Sequence, residues 1–217
     1  MKIIGITGGV GSGKSEVMKY LETHYDCTLI RSDELAHALM KKGQACYDPI
    51  LALLGPSVLG PDGEFDRKAV AAKIFADKKL LEQMNQITHP AVRRSIALAM
   101  KKAETAGRPF FFLEAALLIE EKYDEICDEL WYVYADAEVR AQRLRKSRGY
   151  SDEKIRQIMA NQLPDAVFRK LCAFILDNSG DFTETIRQID SRMQTFPPRR
   201  NPHSSSEIME HKRNEHP

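Results

Sequence analysis

The chain is 217 residues long, with 43% hydrophobic and 29% charged residues and a formal net charge of +1. That length buries a sizeable core in one domain, or in one domain carrying insertions, and near-neutral charge excludes a broad basic platform for nucleic acid, so any anion site is local. Four cysteines without a CxxC pair argue against a zinc site or a disulfide framework, and no run approaches the ~18 apolar residues of a membrane span, so the expectation is a cytoplasmic protein with reduced, mostly buried thiols.

Ile3, Ile4 and Ile6 form a β-branched run ending in glycine, as a strand buried on both faces of a parallel sheet does, which predicts the first strand over residues 2–7. A glycine-rich stretch, "GITGGVGSGKSEV", follows from Gly5 to Val17. Within it Gly8, four residues and then Gly13-Lys14-Ser15 fill the GxxxxGK[ST] pattern between a strand and the amphipathic helix marked by Val17, Met18 and Leu21. Such a loop turns backbone N–H groups inward around phosphates at the positive end of a helix dipole. Gly8, Gly9, Val10, Gly11, Ser12, Gly13, Lys14, Ser15 and Glu16 are therefore the candidate nucleotide-binding residues. Lys14 reaches the terminal phosphates, and the Ser15 hydroxyl suits magnesium. The loop alone does not separate a kinase from a motor or a switch.

A second strand is predicted over Thr28–Ser32, followed by Asp33. Ligands in an open parallel sheet bind beyond the carboxyl ends of its strands. Asp33 there is a candidate general base, a magnesium group acting through water, or simply the N-cap of the helix "ELAHALM". Residues 34–106 carry helical patterns without a convincing strand and read as an insertion, with Asp66 capping one helix and Pro90 at a helix start or a kink.

The sheet resumes at "PFFFLEA" (109–115), "ELWYVYAD" (129–136) and "AFILDN" (173–178), giving five strands. Strands alternating with helices imply right-handed crossovers and helices on both faces. Glu114 ends the third strand as a candidate magnesium group, direct or indirect. Between 140 and 148, "RAQRLRKSR" places Arg140, Arg143 and Arg148 ahead of a turn at Gly149 and a predicted cap at Ser151. The plain reading is a solvated basic face; the sharper one is a lid bringing guanidinium groups to a transferring phosphoryl, Arg140 and Arg143 on one face. From 197 the chain is rich in proline, serine and charge, which predicts a disordered tail over 197–217.

The chain resembles the dephospho-coenzyme A kinases over about residues 1–190, through "GITGGVGSGKS", "SDELAHAL", "DGEFDRKAVAAKIFAD", "THPAVR", "LEAALLIE" and "ILDNSG" taken in order. The resemblance implies a P-loop kinase-type three-layer α/β fold with a five-stranded parallel sheet, a helical acceptor-binding insertion and an arginine-rich lid. It implies a core of about 1–33, 107–139 and 165–196, an insertion of about 34–106 and a lid of about 140–164. ATP and Mg2+ would be the cofactors and dephospho-coenzyme A the acceptor, phosphorylated at its ribose 3′-hydroxyl, with no nucleic-acid or membrane partner and a monomeric or weakly associating chain. Asp33 would act on the hydroxyl, His89 and Gln162 on the acceptor side, Arg143 in the lid, and Asn178 by the adenine pocket. Departures from the usual family pattern are Arg31-Ser32 before Asp33, Ala116 where proline is common, Ser147 at a lid-arginine position and Ala173 before the last strand. A kinase for another small nucleoside or nucleotide, or a nucleotide-binding switch, is the alternative reading.

Overall fold

The computed structural model describes residues 1–196; the tail expectation for 197–217 lies outside the described residues. Five parallel strands, β1 (Lys2–Thr7), β2 (Cys27–Arg31), β3 (Phe110–Glu114), β4 (Glu129–Tyr134) and β5 (Phe174–Asp177), form one sheet in the order β2-β3-β1-β4-β5. Alternation along each strand divides the core. Ile4, Ile6, Phe112, Trp131 and Val133 face helices α1 (Lys14–His24) and α9 (Phe182–Gln194), while Phe111, Leu113, Leu130 and Tyr132 face α5 (Lys78–Thr105) and α8 (Asp165–Leu171). With both faces covered, no strand can alternate apolar with polar, which is why β1 reads as a continuous apolar run.

Register aligns the carboxyl ends of the strands that carry candidate residues. Glu114 is opposite Ile6 of β1 and Arg31 of β2, so the glycine loop, the start of α2 (Ser32–Leu39) and the end of β3 share one edge. The insertion adds α3 (Tyr47–Leu54) and α4 (Arg67–Ala76), which close with α5 over a separate small core of Cys46, Ile50, Leu54, Val58, Val70 and Ala91. The basic segment forms α6 (Ala137–Arg148), turned at Gly149 into α7 (Asp152–Ala160), whose first turn Ser151 caps through Lys154 N–H at 3.3 Å.

Three local expectations are corrected. The second strand ends at Arg31 rather than Ser32, and Arg31 is the N-cap of α2, so Asp33 lies inside the first helical turn and caps nothing. Of the two places expected for Pro90, a helix start or a kink, the first is excluded, because α5 runs for 28 residues through it. Proline's fixed φ is helical, and burial of Ala91 and Val92 on either core offsets the one backbone hydrogen bond it cannot donate. Of the four thiols, Cys46 and Cys172 are buried and Cys27 and Cys127 half-buried, all unpaired.

Candidate active site

The loop after β1 is held by partners drawn from the lid and the far sheet edge. Lys14 Nζ donates to the Gly8 carbonyl at 2.7 Å and lies 3.9 Å from Glu114 Oε1. Burial lowers the lysine pKa, opposed by the charges of Glu114 and Asp33, and burial raises that of Glu114, opposed by Lys14. Each group's charge thus depends on the other. Gly13 has φ of 94°, and a Cβ there would strike the Asn178 amide, so the loop's tight approach requires glycine twice over. Among the described residues, the only buried side-chain oxygens without a hydrogen-bond partner are Thr7 Oγ1 and Ser12 Oγ, at the two ends of this turn. Orphaned polar atoms are costly in a dry core and are tolerated where a polar ligand is to be met.

The arginines of α6 reach the loop across more than a hundred residues of sequence. Arg140 Nε donates to the Val10 carbonyl at 2.9 Å, and its guanidinium also donates to Gln162 and fills the space where a Gly9 side chain would stand. Arg143 bridges the Ser12 carbonyl at 3.3 Å and the Asn178 carbonyl at 2.8 Å. Asn178, expected by the adenine, is buried beneath the loop, its Nδ2 donating to the Ser12 carbonyl at 2.7 Å and its Oδ1 accepting from Thr185 at 2.9 Å. Gln162, expected on the acceptor side, accepts from Arg140. Both residues thus bond groups that hold the loop. Arg148 is exposed above the lid turn, 5.8 Å from the Tyr150 ring, and its positive charge extends to Lys14.

Across from the loop lies a cleft of ≈ 250 Å³ between α2 and α5, lined by Ser32, Asp33, His37, Met84, His89, Ala115, Glu121 and Tyr123 among others. Asp33 is exposed on its wall, and its negative charge extends to both Lys14 and Glu114. His89 Nδ1 lies 2.9 Å from Glu121 Oε2, which orients the imidazole at the cleft. Ser15 and Glu16 are exposed at the start of α1. Glu121 and Tyr123 escaped the sequence reading, because they sit in short turns after β3 with no periodicity to place them; the acidic pair in "LLIEE" was the available signal.

Comparison with known proteins identifies relatives over most of the chain. A family model described as dephospho-CoA kinase matches residues 2–184. A dephospho-CoA kinase of Geobacter sulfurreducens is 36% identical over 190 residues, covering 88% of this chain and 96% of that protein. One from Streptococcus agalactiae is 34% identical over 193 residues, covering 89% and 98%. Among solved structures, a Thermus thermophilus protein superposes with a TM-score of 0.76 at 29% identity, covering 91% of this chain and 98% of that one. The dephospho-CoA kinase of Campylobacter jejuni has a TM-score of 0.67 at 19% identity, covering 89% and 96%, and shares the fold.

Proposed function

The chain belongs to the dephospho-CoA kinase family, and we propose that it transfers the γ-phosphoryl group of ATP to the ribose 3′-hydroxyl of dephospho-CoA, giving CoA and ADP. The observation that carries the assignment of roles is that Asp33 lines an open cleft near enough to the Lys14–Glu114 pair of a phosphate loop for both to feel its charge.

In this reading the loop amides and Lys14 hold the β- and γ-phosphates. The acceptor's adenosine occupies the cleft beside His89, and Asp33 accepts the 3′-hydroxyl proton as the oxygen attacks the γ-phosphorus. The bond from that phosphorus to the β-bridging oxygen breaks, and ADP leaves. Arg140 and Arg143, already aligned on the loop, stabilise charge on the transferring group, with Arg148 adding long-range positive potential. Positioning and charge stabilisation supply most of the rate.

The donor set suits Mg2+: a hydroxyl at Ser15 and a carboxylate at Glu114 are hard oxygen donors, and no group of three or more candidate His, Cys, Asp or Glu ligands clusters among the described residues. That matches an ion that shares its coordination with phosphates rather than one caged by protein. When bound, it neutralises charge developing on the β- and γ-phosphates. Unpaired thiols support a reducing, cytoplasmic setting.

Product analysis tests the reaction. Incubation with MgATP and dephospho-CoA should yield a 3′-phosphomonoester identical to CoA by phosphorus NMR. Phosphate at another position, or inorganic phosphate alone, would overturn the assignment.

A further inference from the structure

Thr185 is fully buried in the first turn of α9, and its hydroxyl donates to Asn178 Oδ1 at 2.9 Å. The Asp177 carbonyl lies 3.2 Å from the same oxygen, but Gln188 Nε2 already donates to that carbonyl at 2.9 Å. A hydroxyl has one proton to give. Among the described residues Asn178 Oδ1 accepts from Thr185 alone, so the shorter contact and the acceptor in need of a donor both assign the proton to Asn178. A threonine inside a helix commonly bonds the carbonyl four residues back. Thr185 reaches past its helix instead, to the loop after β5.

Asn178 uses every polar group it has. Its N–H donates to the Tyr134 carbonyl of β4 at 2.8 Å, its Nδ2 to the Ser12 carbonyl at 2.7 Å, and its own carbonyl accepts from Arg143 at 2.8 Å. The Ser12 carbonyl accepts from Arg143 as well, at 3.3 Å, so the phosphate loop, α6 and Asn178 close a small ring. Ser179 extends the grip, because its hydroxyl accepts from the N–H of Asp136, the N-cap of α6, at 3.0 Å. The Asn178 amide fits this ring in one sense only. Turned over, it would set oxygen against the Ser12 carbonyl oxygen and remove a donor that holds the loop.

Resting on the reading of this loop as the ATP site, we propose that Thr185 is a positioning residue for phosphate binding: its hydroxyl holds the Asn178 amide where it fixes the Ser12 carbonyl and, through the Asn178 backbone, the Arg143 fork. It acts through Asn178 and touches no bound nucleotide. Loop N–H groups converge on phosphate only while the neighbouring carbonyls are held turned away. Asn178 and Arg143 anchor one such carbonyl directly before Gly13 and Lys14. Without the Thr185 hydroxyl, Asn178 Oδ1 is a buried acceptor with no donor. That penalty is relieved when the amide rotates toward water, and the rotation releases Ser12.

Thr185→Val keeps the side chain's shape and removes the donor. Calorimetry on the full chain, with the magnesium complex of a non-hydrolysable ATP analogue, should show Kd weakened about five- to twentyfold, as the loss of a donor to a buried acceptor allows. KM for ATP should rise to match, while KM for dephospho-CoA stays within about twofold. Thr185→Ser, which retains the hydroxyl, should remain within about twofold of wild type in all three measurements. In an Asn178→Ala background, adding Thr185→Val should change Kd by less than about twofold, because the group it acts on is gone. An unchanged Kd in Thr185→Val overturns the proposal, even where the melting temperature falls. Equal weakening by serine and valine, an equal rise in KM for dephospho-CoA, or full multiplication of effects in the double variant does so too. Thr185→Ala, which removes the same hydroxyl without crowding, carries the same expectation and serves where the valine variant does not fold. A wild type that fails to bind the ATP analogue would instead sink the donor-site reading beneath the proposal.

Discussion

The donor half and the acceptor half of this molecule are built in different ways. On the donor side a contiguous loop is gripped from outside: Arg140, Arg143 and Asn178 all bond its carbonyls, and Lys14 turns back onto Gly8. On the acceptor side, α2, α5 and the segment after β3 enclose a cleft in which Asp33 stands exposed and His89 is paired with Glu121. A phosphate site works through many aligned dipoles, so it benefits from being preformed. A cleft for a bulky acceptor must admit it first, and the insertion's small separate core joins the sheet body through α2 and α5, which lets it adjust.

This contrast can be broken most forcefully at Asp33. Asp33→Asn should lower kcat by roughly 10²–10⁴, the usual yield of a general base, while calorimetry finds binding of a non-hydrolysable ATP analogue unchanged. Full activity would remove Asp33 from the chemistry. Next in size is Arg143→Ala, expected to cost about 10²–10³ in kcat/KM for ATP, as loss of one aligned electrostatic donor does. Arg143→Lys should not restore it, because a single ammonium cannot reproduce the fork that spans the Ser12 and Asn178 carbonyls. Rescue by lysine would mean that charge alone matters.

Smaller still is His89→Ala. Steady-state kinetics should show KM for dephospho-CoA rising about tenfold, ~1.4 kcal/mol, with KM for ATP unmoved; a matching rise for ATP would show the halves to be one site. The least effect concerns thiol reactivity. Burial pushes Cys127 and Cys172 up to about 12 and Cys27 to about 11, and raises Cys46 as well. A raised thiol pKa leaves little thiolate at pH 8, so alkylation should be slow and quicken about tenfold per pH unit, since thiolate is the nucleophile. Mass spectrometry should find Cys46, in the small insertion core, modified ahead of Cys172 in the sheet body, through easier local opening. Equal rates would remove the mechanical side of the contrast.

What was legible in the sequence follows the same division. The loop is local: its glycines, Lys14 and Ser15 are neighbours in the chain, so motif and strand-helix context suffice to place them. Asp33 and Glu114 were readable as strand-end residues because parallel strands present their carboxyl ends together. Asn178 is 166 residues from the Ser12 carbonyl it holds, and Gln162 meets Arg140 across the turn between α6 and α7, so neither contact could be read from local sequence. Glu121 lies in a turn and Tyr123 at the start of one short 3-10 turn, too little chain for a period to read. Pro90 was readable only as a helix start or a kink, since the packing that carries α5 through the proline comes from both cores at once.

The most direct test of the account is a competition of acceptors under γ-labelled ATP. Dephospho-CoA, adenosine, adenosine 5′-phosphate and other nucleosides are offered together, and the labelled products are separated and quantified. Label should pass predominantly to the 3′-oxygen of dephospho-CoA, with release of inorganic phosphate small when no acceptor is present. Preferential labelling of another nucleoside, or hydrolysis without acceptor as fast as transfer, would contradict it.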